Sequence, residues 1–252
     1  RAGPRYPKNP KNPRTQYGYI PIEWWPCDYA AIQYATAKNI IVVEAAGNGG
    51  QSLDDDIYSQ PPENSCGPWK NPFNIENLGS GAVIVGAGSV QAGTHGRNIS
   101  LFSNEPHEDR ARCFFSNYGK RIDTQAYGVE VTTTGDFGYP GYELQKGDDP
   151  NRWYTNGFPG TSSATPIVAG VIACVQGIII ANKKEPLTPA QVRNLLRSTG
   201  SPQEDGLSFD LPAHYADFGS KYPRRAKSKR IGTRPNLKEL VPAALNITET
   251  PT

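Results

Sequence analysis

Residues 160–166 read Gly-Thr-Ser-Ser-Ala-Thr-Pro and lead directly into an apolar stretch that extends to residue 180. The stretch shows little polar face, so it predicts a helix through the middle of a domain, and a proline in the first turn is typical of a helix start. Ser162 then lies beside free N–H groups and the positive end of the helix dipole. A serine becomes reactive when a base takes its proton and donors await the oxyanion, so Ser162 is a candidate nucleophile. The same residues are compatible with an ordinary core helix that Thr161 or Ser162 caps.

A second segment, residues 40–46, is a nearly continuous apolar run that ends abruptly in Gly47-Asn48-Gly49-Gly50. Such a run is typical of a parallel strand that is covered on both faces. Because open parallel sheets bind ligands at the carboxyl ends of their strands, Asn48 is placed to donate a hydrogen bond to an oxyanion. Taken alone, Asn-Gly also indicates a simple turn, since asparagine tolerates left-handed backbone angles.

The rest of the chain favours an alternation of helices and strands. Asp28 is placed to cap a helix that feeds the strand at residues 40–46. Residues 82–86 predict a second buried strand. The residues at 188–191, Thr-Pro-Ala-Gln, have the pattern of a capping box with proline at the first helical position, and Gly200 closes that helix. This pattern predicts an α/β fold.

Together the two glycine-rich segments resemble those of the subtilisin-like serine peptidases. In that family the nucleophile motif reads Gly-Thr-Ser-x-Ala-Ser/Thr-Pro, and the oxyanion asparagine lies in an Ala-Ala-Gly-Asn segment after a buried strand. The resemblance implies that Ser162 is the nucleophile and that the Ser162 N–H and the Asn48 side-chain amide are the oxyanion donors. It also implies that Gly47, Gly160 and Thr161 bind the substrate. These roles are inherited from the family, in which subtilisin is the worked example of this chemistry.

The catalytic aspartate and histidine of that family are not found where its sequence order requires them, before the asparagine segment. The residues before Asn48 contain one aspartate, Asp28, and no histidine. His95 is predicted to lie in a surface loop, His107 in an exposed charged turn and His214 in a polar tail. None of these histidines is a credible base from the sequence.

The missing motifs predict an incomplete fold. The chain opens with Arg1, contains no methionine and shows no signal peptide, so we expect a processed chain. We expect residues 1–27 to be loop-like and residues 28–200 to form the C-terminal portion of the catalytic domain. Residues 201–252 are expected to be a basic, proline-rich tail with a final short helix. The expected architecture is a three-layer, subtilisin-like α/β fold with a mainly parallel sheet between helices, whose first strands are missing from this chain.

An incomplete sheet leaves a strand edge and helix faces uncovered, so the resemblance implies a partner. We expect the N-terminal chain of the same precursor, which carries the aspartate and histidine and is held noncovalently or by a disulfide. The predicted function is a serine endopeptidase with a polypeptide substrate. The alternative is a catalytically inactive subtilisin-like fold that binds a protein or a carbohydrate. The presence of both Ser162 and Asn48 favours the peptidase.

Composition limits the other functions. The chain has 26 glycines, 23 prolines and 20% charged residues, which is typical of a loop-rich secreted domain, and two glycosylation sequons are compatible with secretion. The basic runs at residues 1–14 and 221–230 are predicted to be solvated loops, so we expect no nucleic-acid or membrane partner. The aspartates at 54–56 lack the spacing of a calcium loop, so we predict no metal and no cofactor. Cys174, in the apolar helix, is predicted to be a buried thiol.

Overall fold

The computed structural model describes residues 2–4, 17–62, 69–77, 79–135, 149, 151, 153–207 and 228–247. The strands in these ranges are β1 (Ala2–Pro4), β2 (Tyr17–Tyr19), β3 (Val43–Ala45), β4 (Val83–Gly88), β5 (Thr124–Tyr127), β6 (Val131–Thr134) and β7 (Tyr154–Phe158). The α-helices are α1 (Pro26–Ala37), α2 (Thr161–Ala181), α3 (Pro189–Ser198) and α4 (Leu237–Leu245). Short 3-10 turns occur at Ile22–Trp24, Asp56–Ser59 and Thr94–Gly96.

The centre of the fold is a parallel sheet in the strand order β3-β4-β5. Val43 pairs with Val83, and Val85 pairs with Thr124. Two antiparallel pairs, β1 with β2 and β6 with β7, lie outside this sheet. All six residues of β4 are buried, as expected for a parallel strand with both faces covered. The parallel sheet flanked by helices confirms the predicted α/β class.

Alternate residues of β4 point to opposite faces of the sheet and build two cores. Val83 and Val85 lie in one cluster with the buried faces of α2, α3 and α4. Ile84 lies in a second cluster on the other face, together with Ile20 and Trp24. Full burial of such a side chain contributes about 1.5–3 kcal/mol, so the two clusters hold the sheet between them.

Helix α2 does not run through the middle of the described structure, although its apolar sequence predicts that position. Its buried side includes Val168, Ile172 and Val175 and packs against the sheet. The opposite side is exposed, with Ile180 at 57% exposure, and it carries Cys174. The prediction of a buried Cys174 thiol is therefore wrong, because the described residues cover only one side of the helix. Helix α2 is also long and apolar enough to cross a membrane. This is weak evidence for a membrane span, because the core helices of soluble proteins have the same length and composition.

Two other elements are also uncovered. Helix α1 has no buried residue, and its Tyr34 is 70% exposed. Strand β3 lies at one edge of the sheet, and no strand of the described residues pairs with its free edge. At the opposite edge a bridge between Thr124 and Thr233 covers β5. The β3 side of the sheet is thus the open side of the described fold.

The segment boundaries expected from the sequence differ from those of the structure. Helix α1 begins at Pro26 after the N-cap residue Trp25, so Asp28 lies in the first turn rather than at the cap. The region before residue 28 contains β1, β2 and the buried Trp24. Beyond residue 200, Ile231 is fully buried and α4 packs against α2. These described residues therefore belong to the domain, because their apolar side chains complete its cores.

A network of charged side chains is buried beside β3. Arg121 donates to both oxygens of Glu23 at 2.8 and 2.9 Å and to Asp123 at 2.9 Å. Glu44, in β3, accepts the backbone N–H of Glu23 at 2.9 Å. All four side chains belong to residues with 6% exposure or less. Removing one member of such a buried network leaves its partners with uncompensated charge, so these residues tie the Ile22–Trp24 turn to the sheet.

The protonation of Glu44 differs from that of an ordinary glutamate. Burial, followed by the repulsion of the nearby Glu23 carboxylate, raises the pKa of Glu44 to about 8. For Asp123, burial favours a higher pKa, but the charges of Arg121 and Arg193 outweigh burial and lower the pKa. Glu44 is therefore protonated at neutral pH in the folded protein. The positive charge of Arg121 is paired with the carboxylates of Glu23 and Asp123.

We predict that Glu44→Gln removes one pH-dependent component of stability. The pKa of Glu44 rises from 4.5 to about 8 on folding, so the stabilisation of the protonated form is complete at low pH and is lost as the pH rises through 8. The free energy of unfolding of the wild type should therefore fall relative to Glu44→Gln across this range, by up to about 1.4 kcal/mol per pH unit. Denaturant unfolding of both proteins at a series of pH values measures the difference.

The exposed Glu185 offers a matched control for this experiment. Glu185→Gln tests whether the loss of a glutamate at an exposed position produces the same change in the pH profile. Parallel profiles for the wild type and Glu44→Gln would contradict a protonated Glu44 in the folded protein.

Candidate active site

The start of α2 meets the carboxyl ends of the parallel strands. Gly160, the residue before α2, donates its N–H to the Gly128 carbonyl, just beyond β5, at 2.8 Å. The Ser163 hydroxyl lies 3.0 Å from the Tyr127 carbonyl oxygen and 2.8 Å from that of Gly160. These contacts fix the helix start at the edge of the sheet where α/β folds bind their ligands.

Asn48 follows β3 at the same edge and is hydrogen-bonded to the helix start. Its Oδ1 accepts the Thr161 backbone N–H at 2.9 Å and the Thr161 hydroxyl at 2.8 Å. The Thr161 hydroxyl oxygen in turn accepts a hydrogen bond from the Gly47 N–H at 3.2 Å. Because both hydrogen bonds from Thr161 go to Oδ1, the Nδ2 hydrogens are left for other acceptors. Thr161, only 1% exposed, therefore sets the orientation of the Asn48 amide.

Neither the Thr161 nor the Ser162 side chain caps α2, although the sequence is compatible with such a cap. The N-cap residue is Gly160, which has no side chain, and the Thr161 N–H is satisfied by Asn48 instead. The cap of the helix is thus supplied from a segment more than a hundred residues earlier in the chain. A sequence pattern cannot reveal this contact, because the local residues alone suffice for a conventional cap.

Gly160 leaves a space beside the serine in which two donors converge. A methyl group placed on its Cα would lie 3.3 Å from Asn48 Nδ2 and 3.5 Å from the Ser162 backbone nitrogen. Gly160 has a φ of +105°, in the region that favours glycine, so both its conformation and this space depend on the missing side chain. Two nitrogen atoms that carry N–H groups thus lie near one point, and two donors close to one point are what an oxyanion site requires.

Ser162 is the second residue of α2, and it is exposed. Within the described parts of the chain, no group hydrogen-bonds its hydroxyl or its backbone N–H. The N–H lies in the first turn, where helix donors lack intrahelical partners and the helix dipole is positive. The hydroxyl and one donor of Ser162 are therefore both available to a ligand.

The two described histidines are occupied elsewhere. The His95 ring Nε2 lies 3.0 Å from the Glu130 carbonyl oxygen on the surface. His107 was expected in an exposed turn, but this is wrong, since it is 5% exposed and its Nδ1 lies 3.0 Å from the Arg97 carbonyl oxygen. The buried ring lies between the Arg97 carbonyl and a Glu130 carboxylate oxygen, which is 3.6 Å from Nε2, and the charged sequence around His107 does not reveal these contacts. His214 lies outside the described residues. Neither His95 nor His107 hydrogen-bonds Ser162.

The structure brings the predicted site residues Ser162, Asn48, Gly47, Gly160 and Thr161 to one place. Sequence reasoning missed the support of this site, most of all the contact between Thr161 and Asn48. It also missed Asn117, a fully buried residue that is hydrogen-bonded to the glycine-rich loop. No three His, Cys, Asp or Glu side chains within the described ranges come together as a possible metal site, and the absence of a metal stays a prediction.

The comparison with family models assigns the chain to a family. The model of the subtilase family matches residues 11–222, a range that contains both Asn48 and Ser162. Because the match extends over most of the chain, the chain belongs to the subtilase family.

Several relatives are similar to this chain over a part of their length. Subtilisin DY of Bacillus licheniformis is 26% identical over 71% of this chain and 46% of its own length. The subtilisin-like serine protease Rho m 2.0101 of Rhodotorula mucilaginosa is 26% identical over 71% of this chain and 59% of its own length. An extracellular protease of Xanthomonas campestris is 29% identical, over 67% of this chain and 21% of its own length. The matched region thus spans from about a fifth to about three fifths of these relatives.

Among solved structures, the patellamide maturation protease PatA is similar to 87% of this chain and 56% of its own chain. The TM-score is 0.48 and the sequence identity is 19%.

We predict that Gly160→Ala slows the reaction of Ser162 with a fluorophosphonate serine probe by about 100-fold or more, the loss typical of a damaged oxyanion site. The added methyl group would occupy the space next to Asn48 Nδ2 and the Ser162 nitrogen. The rate of labelling measures the effect.

Gly93 is a matched control, because its φ is +85° and an added methyl group would meet nothing within 4 Å. Gly93→Ala introduces similar backbone strain without filling the site, so it should label at nearly the rate of the wild type. Equal losses in both variants would show that strain, rather than the filled space, accounts for the change.

Proposed function

We propose that the chain is the nucleophile-bearing part of a serine endopeptidase. In this proposal the Ser162 hydroxyl attacks the carbonyl carbon of a peptide bond and gives its proton to a histidine. The negative oxygen of the tetrahedral intermediate accepts hydrogen bonds from Asn48 Nδ2 and the Ser162 N–H. The amine leaves with a proton from the histidine, and water then hydrolyses the acyl-serine. Gly160 borders the substrate at this point, while Thr161, which is 1% exposed, and Gly47 support Asn48.

The observation that carries the proposal is the convergence of two donors beside an exposed serine hydroxyl. Asn48 Nδ2 and the Ser162 nitrogen lie 3.3 and 3.5 Å from one point next to Gly160. Thr161 holds the Asn48 Oδ1 atom, and Nδ2 is the amide atom nearer to that point. A binding module has no need of a strained glycine that keeps this small space open, so the geometry favours catalysis over binding alone.

We further propose that another chain, the N-terminal chain of the same precursor, supplies the catalytic aspartate and histidine. No histidine precedes Asn48, and the described His95 and His107 are bonded elsewhere. The free edge of β3 is unpaired in the described structure, and the exposed sides of α1 and α2 leave uncovered surface with apolar groups such as Ile180. A segment that adds strands at the β3 edge would cover this surface and would approach Asn48 and Ser162 from the open side.

We place the enzyme outside the cytoplasm. One relative is named an extracellular protease, and the glycine-rich and proline-rich composition agrees with a secreted domain.

Ser162→Ala should abolish both labelling by a fluorophosphonate probe and hydrolysis of a generic protein substrate such as casein. The reason is that the variant lacks the only atom proposed to form the acyl bond. In-gel fluorescence of the native assembly and release of soluble peptides measure the two effects. Ser163→Ala is the matched control, because that neighbouring hydroxyl is fully buried and directed at carbonyl oxygens. A native assembly that never labels would favour the alternative, an inactive binding protein.

Asn48→Ala should lower kcat far more than it raises KM, because the lost donor acts on charge that exists only in the transition state. The expected loss in kcat is about 10²–10³, which is the range for removal of one oxyanion donor in subtilisin and is therefore carried over from the family. Steady-state kinetics with a peptide substrate provides the test. A variant with unchanged kcat would remove Asn48 from the proposed mechanism.

Ile180→Glu should weaken the association of the chain with its partner, because it places a charge on the uncovered side of α2. Denaturing electrophoresis and N-terminal sequencing of native material should show a second polypeptide, and less of it should co-purify with the variant. The matched control is Ile99→Glu, since Ile99 is 50% exposed in the segment between β4 and β5 and belongs to none of α1, α2 and β3. Native material that consists of residues 1–252 alone and still labels at Ser162 would contradict the partner.

A further inference from the structure

Asn117 lies fully buried behind the glycine-rich loop and binds it on both sides of Asn48. The Asn117 side-chain nitrogen donates to the Ala46 carbonyl at 2.6 Å, before Asn48 in sequence. Its side-chain oxygen accepts the Gln51 N–H at 2.8 Å, after Asn48. Its own backbone N–H donates to the Gly47 carbonyl at 3.1 Å. Three hydrogen bonds from one residue therefore hold the loop that presents the Asn48 amide.

The same side chain connects this loop to a third segment. The second hydrogen of the Asn117 amide donates to the Tyr19 carbonyl at 2.6 Å, at the end of β2. Strand β2 pairs with β1, in which Ala2 lies opposite Tyr19. Every donor and acceptor of the Asn117 amide is thus engaged, which is the condition under which a buried amide fixes a unique arrangement.

The loop is packed so closely on Asn117 that two of its glycines, Gly47 and Gly49, leave no room for a side chain. A methyl group on Gly47 would lie 2.5 Å from the Tyr19 carbonyl oxygen and 2.9 Å from Asn117 Nδ2. One on Gly49 would lie 2.7 Å from that carbonyl oxygen and 2.9 Å from Asn117 Oδ1. The glycines that flank Asn48 therefore belong to the Asn117 contact, and the Asn48 side chain remains free to face Thr161 and the space beside Gly160.

We propose that Asn117 is a positioning residue for catalysis, one that acts through Asn48 and joins the β1–β2 pair to the oxyanion donor. The inference rests on the proposed function, because it assigns a role within that reaction. Without the Asn117 amide, the loop loses its ties at Ala46 and Gln51, and Asn48 Nδ2 moves relative to the Ser162 nitrogen. Displacement of a catalytic group by about 1 Å can reduce the rate as much as 100-fold.

The experiment measures kcat and KM of the assembled enzyme with Asn117→Ala, alone and combined with Asn48→Ala. We expect the single variant to lose about 10- to 100-fold in kcat. In the Asn48→Ala background the same substitution should reduce kcat by less than about twofold, because the group that Asn117 positions is already absent. Asn117→Asp keeps the shape and the acceptor for Gln51 but loses both side-chain donors, so it should reduce kcat at least as much as Asn117→Ala.

Gln125 provides the matched control for lost stability. It is also a fully buried amide, and its nitrogen donates to two carbonyls of distant segments, Arg110 at 3.2 Å and Gly232 at 2.9 Å. It makes no hydrogen bond to residues 46–51 in the described structure. Gln125→Ala should therefore lower the Tm to a similar extent as Asn117→Ala while kcat changes by less than about twofold.

The outcomes separate this inference from the proposed function. If activity requires Ser162 but Asn117→Ala matches Gln125→Ala in kcat, Asn117 has a structural role only and the inference is overturned. Equal fold losses from Asn117→Ala in the wild-type and Asn48→Ala backgrounds would overturn it as well, since the effect would not pass through Asn48. Activity that survives Ser162→Ala would overturn the proposed function and, with it, the role of Asn117.

Discussion

The hydrogen bonds between Asn48 and Thr161 bring together the two parts of the chain on which the site depends. They join the end of β3 to the start of α2, at 2.8 and 2.9 Å. They also fix the orientation of the Asn48 side-chain amide, because rotation of the amide by 180° would bring its nitrogen rather than its oxygen to the two donors of Thr161. Gly160 makes the approach possible because a side chain there would occupy the space between the donors. One pair of contacts thus determines both the helix position and the direction of a donor.

Buried polar side chains hold the segments on either side of this contact in place. Asn117 ties the loop around Asn48, while Arg121 and Glu23 connect the turn before α1 to the sheet. Each of these side chains is buried and is hydrogen-bonded to the loop or to the sheet. Such groups add little net stability compared with apolar packing, but they define which arrangement is allowed, since any other would leave polar atoms unpaired.

The apolar packing is uneven around the sheet. One face carries α2, α3 and α4, and the other carries Ile20, Trp24 and Ile84, yet the β3 edge and the outer side of α2 are open. The open side adjoins Asn48 and the beginning of α2, so a segment that completes the sheet would also complete the proposed site. Association at this surface would then contribute to both stability and activity.

The sequence by itself determined the elements whose signals are local. The apolar runs identified β3 and β4, the capping box of Thr188 and Gln191 identified α3, and the segments around Asn48 and Ser162 indicated the family and the site. Only the tertiary structure decided that α2 is exposed on one side and that His107 is buried. It also decided which groups hold the site residues. Burial and hydrogen bonding between distant segments depend on what packs against a residue, and neighbours in the sequence carry no record of that.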